Sequence, residues 1–257
     1  MQYLEVFDDS EIRVVQLSRG KANALNLAMV EELNSTLLQI EEDPRFRAMV
    51  FSSAAPGFFC AGFDVLEVFA YEPDAMRHFF SRFMTLFQRV LRMPKPVVGA
   101  LCGHAYAGGA FLALACDVRI MAEGEFGFAL NEISFGAILP PSLRHAMIAT
   151  VGQHEATRII LTGESVRPER ALVTGLADEV VPMNQVLPTA LRHARGLAQK
   201  PQGAFALSKR ALLLDAGHTD AESESLDDFV DQWFSPECTE RRRALTASLR
   251  TKSQANG

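Results

Sequence analysis

Between Pro96 and Cys116 the chain runs for 21 residues without an Asp, Glu, Lys or Arg. A stretch of that length is sufficient to span a bilayer as a helix. It also carries Gly99, Gly103, Gly108 and Gly109, together with His104 and Tyr106, and so breaks where a spanning helix should continue. The segment reads instead as a buried strand over 97–101, a glycine turn over 103–109 and a short apolar helix over 110–115 of a soluble α/β domain.

The same alternation flanks it on both sides. Residues 12–18 and 47–53 have strand character, and Val30, Leu33, Leu37 and Ile40 repeat at helical spacing between them. The segment 54–63 reads as a loop that stays apolar. A helix of about 19 residues follows, with Phe79, Phe80, Phe83 and Phe87 on one face, stopped by Pro94 and Pro96. A strand over 118–121, an extended stretch over 126–130 and a helix opened by Pro140 and Pro141 continue the order to about Val181. No strand leads into GxGxxG, so a doubly wound dinucleotide fold is not indicated. From Asn184 onward the pattern is helical only, over 185–199, 205–215, the acidic 220–231 and 237–250. Residues 1–183 are therefore expected to form a layered α/β core and 184–252 a helical region, with a disordered tail over 253–257.

A length of 257 residues allows one large domain with a full core. A net charge of −6 argues against nucleic-acid binding. The first residues are acidic and lack the basic-then-apolar order of a secretory leader, so the cytoplasm is the expected compartment. Four cysteines without paired short spacing, and six scattered histidines, predict neither a disulfide framework nor a metal site. No serine lies in GxSxG. The aromatic usage is lopsided, with 18 Phe against three Tyr and one Trp, and ten of the Phe fall between Phe46 and Phe87.

Four local features could carry chemistry. Cys60-Ala61-Gly62-Phe63-Asp64 is a glycine turn in an apolar loop, and Gly108-Gly109 opens a buried helix. Backbone N–H groups at such places lack intrahelical partners, and two of them converging on one oxygen would make an oxyanion hole. Either feature alone equally serves tight packing. Glu132, between Asn131 and Ile133, can be raised in pKa by burial and so suited to proton transfer. Cys116-Asp117 reads as structural, with Asp117 accepting backbone or Arg119 hydrogen bonds. The residues themselves stop at an α/β domain with an anion-stabilising site.

The ordered set of motifs extends this. The chain carries Asn23-Ala24-Leu25-Asn26, PGFFCAGFD at 56–64, GHAYAGGAFLALACDVRIMAE at 103–123, and Asn131-Glu132 with Gly136 and Pro140. It closes with Leu161-Thr162-Gly163 and Gly175-Leu176-Ala177-Asp178. In this it resembles the enoyl-CoA hydratase/isomerase (crotonase) superfamily over essentially its whole length. The resemblance implies an α/β, crotonase-like fold of repeated ββα units with a C-terminal helical region for trimerisation and active-site cover. It also implies a homotrimer or a dimer of trimers, and an acyl-CoA thioester as substrate, with no cofactor, metal, nucleic acid or membrane. The oxyanion donors would be the backbone N–H groups of Phe63 and Gly108.

Hydratases of the family use two glutamates. The second matches Glu132, but the position of the first is Phe111, which cannot activate water. That pattern is similar to mitochondrial-type Δ3,Δ2-enoyl-CoA isomerases, and it implies a double-bond shift from 3-enoyl-CoA to trans-2-enoyl-CoA with Glu132 as the one acid/base group. Asn131 would orient it. Phe79, Phe83, Phe87, Phe111 and Leu139 are the expected acyl-pocket residues, and Lys95, Lys209 and Arg210 the candidate CoA-phosphate cations. Alternatives are a hydratase, hydrolase or decarboxylase of the same superfamily, with Glu67 or Glu72 as a further carboxylate, or a non-catalytic acyl-CoA-binding subunit.

Overall fold

A computed structural model describes residues 1–216 and 223–255. The chain opens with β1 (Leu4–Asp9) and β2 (Ile12–Leu17), then α1 (Leu27–Glu42). Asn26 caps α1, its side-chain oxygen accepting the Met29 N–H at 3.0 Å. Three strand–strand–helix units follow: β3 (Ala48–Ser53), β4 (Gly57–Cys60) and α2 (Pro73–Arg92); β5 (Val97–Leu101), β6 (Gly103–Tyr106) and α3 (Gly108–Leu114); β7 (Val118–Ala122), β8 (Phe128–Ala129) and α4 (Pro141–Val151). After α5 (Gln153–Thr162), α6 (Pro168–Thr174) and β9 (Glu179–Val181) the chain is helical, through α7 (Val186–Ala198), α8 (Gln202–Asp215), α9 (Ser223–Trp233) and α10 (Pro236–Ala255).

The units distribute their strands between two sheets. The first strand of each joins a larger sheet ordered β1-β2-β3-β5-β7-β9, in which only β1 and β2 are antiparallel; the second joins an all-parallel sheet ordered β4-β6-β8. Strand alternation sorts the side chains of the larger sheet. Ile12, Val14, Ala48, Val50, Val98, Ala100, Ile120 and Ala122 face one way, against Val186, Ala190, Ala194 and Ala198 of α7. Val15, Leu17, Met49, Phe51, Val97, Leu101 and Met121 face the other, into the main core with α1, α2 and α3. Alanines at i, i+4 and i+8 let α7 lie close on the sheet.

Several expectations are corrected by this architecture. β4 lies inside the stretch read as a loop, and β6 inside the one read as a turn. Each has only four residues, bounded by glycine, so no period of two develops. β1, unpredicted, pairs with β2 across the tight turn at Ser10 and Glu11. α7 is a layer of the core, not part of a separate helical region, so no boundary falls at residue 184. α10 runs on to Ala255, so residues 253–255 are helical where disorder is expected, and 256–257 lie outside the described residues. The expected acidic helix begins at Ser223, with 220–222 outside them.

Two of the expected CoA-phosphate cations are committed elsewhere. Lys95 Nζ donates to the carbonyls of Ile40 and Asp43 at 2.7 and 2.8 Å, closing the C-terminus of α1. Lys209 on α8 pairs with Asp117 at 2.8 Å, and Asp117 also accepts the Val97 N–H. Arg210, the next residue, is exposed on α8. The Lys209–Asp117 pair is only 10% and 20% exposed, and burial pushes the Asp117 carboxyl up. Removing one partner leaves a largely buried charge unpaired. Lys209→Met should therefore lower stability by about 3 kcal/mol, read as a reduced urea midpoint; an unchanged midpoint would show that the pair does not hold α8 to the core.

Candidate active site

A cavity of about 700 Å³ opens between the second sheet and the C-terminal helices. Its inner wall is made by Phe63 and Asp64, which follow β4, by Ala107 and Phe111 at α3, and by Asn131, Glu132 and Phe135 after β8. Phe80 of α2, Phe229 and Trp233 of α9, and Leu245, Leu249 and Arg250 of α10 complete it.

The approach of two main-chain segments sets the geometry. Gly62 sits at φ +92°, and a Cβ there would lie 2.9 Å from the Ala107 Cβ and 3.2 Å from the Gly108 nitrogen. A Cβ on Gly108 would meet the Phe63 ring at 2.9 Å. Only glycine permits both contacts. Ala107 is held at φ 46°, its N–H bonded to Ala129 O and its carbonyl accepting from Phe111 N. Such a conformation costs on the order of 1–3 kcal/mol and persists because both flanks fix it. Gly108 supplies the first amide of α3, which has no intrahelical acceptor. Leu25 bridges Phe63 in parallel, through Leu25 N to Gly62 O and Asp64 N to Leu25 O. This leaves the Phe63 amide without an acceptor among the described residues. The two expected oxyanion donors thus lie on adjoining segments of one wall.

Glu132 heads a single 3-10 turn, Glu132–Phe135, held by hydrogen bonds from Ser134 N to Asn131 O and from Ala137 N to Glu132 O. It is 6% exposed, and burial pushes its carboxyl up to about 8. Its Oε2 and the Asn131 Oδ1 are buried with no hydrogen-bond partner. Unpartnered acceptors facing a cavity are what a proton-transfer site needs and a structural site avoids.

Phe111 lines the cavity, backed by Phe83 at 5.5 Å and Phe87 at 6.2 Å between ring centroids. Phe79 and Phe83 meet the Phe63 ring edge-on. Phe79, Phe83 and Phe87 therefore form a layer behind the wall and do not line it, which corrects their expected role. Phe80 lines it instead, stacked on Phe229 at 3.5 Å and 2°. Leu139 is buried beside the cavity without lining it, and its neighbour Ile138 does. Neither Glu67 nor Glu72 lines it. Both Glu67 oxygens are taken, one by Asn26 Nδ2 and one by the Tyr71 hydroxyl.

Sequence reasoning expected the C-terminal helices to cover the site but named none of the residues of α9 and α10 that line it. Trp233 packs edge-on to Phe69 and Phe135. Behind it lies Arg242, 5% exposed, donating to the carbonyls of Phe69 and Trp233 at 3.2 and 3.0 Å, with its guanidinium 4.6 Å from the Trp233 ring centroid. Of the three consecutive arginines, Arg241 pairs with Glu237. Arg250, not Lys95, Lys209 or Arg210, is the cation on the cavity. A helix that starts about 100 residues after Glu132 carries no local signal of which side chains reach back to it. Among the described residues no cluster of metal-ligating side chains is present, and no helix is long and apolar enough to cross a membrane.

The family model described as enoyl-CoA hydratase/isomerase matches residues 8–238. Enoyl-CoA delta isomerase 1, mitochondrial, of Mus musculus is 33% identical over 68% of this chain and 61% of its own length; the Homo sapiens protein is 32% identical over 77% and 66%. The chain thus spans less than two thirds of these relatives. The crystal structure of human mitochondrial delta3-delta2-enoyl-CoA isomerase superposes with a TM-score of 0.93 at 28% identity, covering 98% of this chain and 99% of that one. The expectation of a cytoplasmic protein is corrected by these matches, since the enoyl-CoA isomerases it is similar to are mitochondrial proteins and the lack of a secretory leader pattern is no positive signal for the cytoplasm. The repeated ββα units, the C-terminal helices and the ordered motifs have one explanation: the chain belongs to the enoyl-CoA hydratase/isomerase family, within the crotonase superfamily of enzymes.

Proposed function

We propose that the protein is a Δ3,Δ2-enoyl-CoA isomerase in which Glu132 is the one acid/base group. The observation that carries this reading is the pair of groups on one cavity: a buried Glu132 carboxyl whose Oε2 has no partner, and Phe111 where a hydratase keeps its first carboxylate. The only other carboxylate on the cavity among the described residues is Asp64. Its oxygens are engaged by Arg19 and by the amides of Leu66 and Glu67.

The chemistry follows from those groups. A 3-enoyl thioester has acidic protons at C2, between the carbonyl and the double bond. Glu132 takes one; the C–H electron pair becomes a C1–C2 π bond while the carbonyl π pair moves onto the thioester oxygen, giving a dienolate that keeps its C3–C4 double bond. The N–H groups of Phe63 and Gly108 stabilise that oxygen more in the transition state than in the ground state. The carboxylic acid then returns the proton at C4: the oxygen re-forms the carbonyl, the C1–C2 π pair becomes the C2–C3 double bond and the C3–C4 π pair forms the C4–H bond, giving the 2-enoyl thioester. An aromatic cavity without a water-activating group keeps the dienolate from hydration. Asn131 positions the carboxyl, and Arg250 is the candidate partner for a CoA phosphate. Assembly as a homotrimer or hexamer is part of the same reading, supported by exposed apolar side chains such as Leu172, Val173, Leu207 and Leu212.

Glu132→Gln should lower kcat for 3-enoyl-CoA isomerisation about a thousandfold, with the fold retained. The wild-type enzyme should hydrate 2-enoyl-CoA only marginally. Rapid hydration would favour the hydratase reading, and undiminished turnover in the variant would remove Glu132 from the mechanism.

Glu132 must be ionised to act as a base. With its carboxyl at about 8, kcat/KM should rise about tenfold per pH unit below that value and level off above it. Folding stability should move the opposite way. The native carboxyl holds its proton up to about 8 and the unfolded one releases it near 4.5. Between those values the native state binds more protons, so stability falls as pH rises. Glu132→Gln lacks this dependence. Its stability advantage over wild type should therefore grow from pH 4.5 to pH 8 by up to about 5 kcal/mol, measured by urea unfolding at each pH.

A further inference from the structure

The geometry points to Arg19 and Asp64 as positioning residues that clamp the Phe63 amide of the oxyanion hole, an inference that rests on the reading of that amide as a donor. Phe63 has no regular secondary structure around it. Its peptide is oriented only by what lies on either side. On one side the strand-like run 22–25 is stitched to 59–64. Ala61 N donates to Ala22 O at 2.9 Å, Leu25 N to Gly62 O at 2.7 Å, and Asp64 N to Leu25 O at 2.8 Å. Asn23 Nδ2 adds a bond to Phe59 O at 3.0 Å. The last of the main-chain bonds sits immediately after Phe63, where the chain turns away toward the single turn Val68–Ala70.

Arg19 closes that open end. Its guanidinium is a two-armed bridge. Nη1 donates to the Ala24 carbonyl at 2.6 Å and Nη2 to Asp64 Oδ2 at 2.8 Å. Ala24 precedes Leu25 and Asp64 follows Phe63, so the bridge spans the residues flanking the Leu25–Phe63 pair. The other Asp64 oxygen accepts the Leu66 amide at 3.1 Å and the Glu67 amide at 3.4 Å, which holds the exit of the turn. Arg19 is itself anchored: its amide donates to Asn23 Oδ1 at 2.8 Å, and its carbonyl accepts the Asn23 amide. The side chains of the pair are 22% and 19% exposed, so the bridge is partly shielded from solvent. Planar, two-donor geometry is what a guanidinium provides and an ammonium does not. Asp64 faces the cavity but has no free oxygen with which to meet substrate, so its contribution runs through the peptide beside it.

A donor displaced by a fraction of an ångström loses transition-state stabilisation without losing ground-state binding. The probe is acetoacetyl-CoA, whose thioester enolate absorbs in the near ultraviolet and forms in the site only when the oxyanion is stabilised. The full chain is titrated with it against pH as wild type, Arg19→Lys and Asp64→Asn. Arg82→Met, which breaks a comparable ion pair between α2 and Glu31 of α1, is the control. Wild type and Arg82→Met should show the enolate at equal fraction. Arg19→Lys and Asp64→Asn should lower it about tenfold at the same pH. Their affinity for butanoyl-CoA should stay within twofold, and kcat for isomerisation should fall with the enolate fraction while KM stays within twofold. A wild-type enolate fraction in either folded variant overturns the clamp alone. No enolate in wild type overturns the oxyanion reading and the clamp with it. Arg19→Lys keeps the charge and Asp64→Asn the shape, so if one variant melts below assay temperature the other decides.

Discussion

The structure depends on one close approach. The chain at Gly62 comes against the chain at Ala107 and Gly108 with no side chain between them, and the proposed oxyanion hole requires it, because two amides can serve one oxygen only if they are neighbours. Every larger feature arranges this contact. β4 and β6 lie side by side in the smaller sheet and deliver residues 61–64 and 107–109 from adjacent strand ends. The larger sheet, backed by the alanines of α7, keeps those strands in register. The strain at Ala107 is the local cost, and the hydrogen bonds on both sides of it keep it in place.

The second constraint is dielectric. Glu132 is buried among aromatic rings, where its charged form is disfavoured, and its carboxyl is pushed up to about 8. The rings that achieve this are drawn from four parts of the chain: Phe63 and Phe69 after β4, Phe111 on α3, Phe135 beside Glu132, and Phe229 and Trp233 on α9. The phenylalanines around the cavity thus form two shells. One faces the cavity and tunes the carboxyl. The other, Phe79, Phe83 and Phe87, supports the first from α2.

The layered core was legible because its strands and helices are long enough to show their periods. Val30, Leu33, Leu37 and Ile40 mark α1 without ambiguity, and Pro94 with Pro96 marks the end of α2. β4 and β6 were not, because four residues next to glycine carry no period. Motif order singled out Phe63, Phe111 and Glu132, which line the cavity, and Gly108, which lies against Phe63, since each falls within a short local pattern. The choice between Phe79 and Phe80 could not be read. They are one residue apart on a helix buried on both flanks, and only tertiary packing says which flank meets the cavity. Lys95 and Lys209 were misassigned because a basic residue in sequence looks the same whether it meets a ligand, a helix terminus or a buried aspartate. Arg250 went unseen for the complementary reason, its meaning lying entirely in where α10 docks.

Arg242 gives that docking an unusual character. The guanidinium that ties α10 to Phe69 and Trp233 meets carbonyl dipoles and ring faces, and no carboxylate pairs with it among the described residues. Attraction to dipoles and quadrupoles fades within a few ångströms, whereas attraction to a formal charge persists to about a Debye length. Arg242 therefore exerts little pull toward its seat from a distance and holds firmly once seated. It behaves as a latch and not as a magnet, and dissolved salt, which weakens magnets of this kind, has little purchase on it.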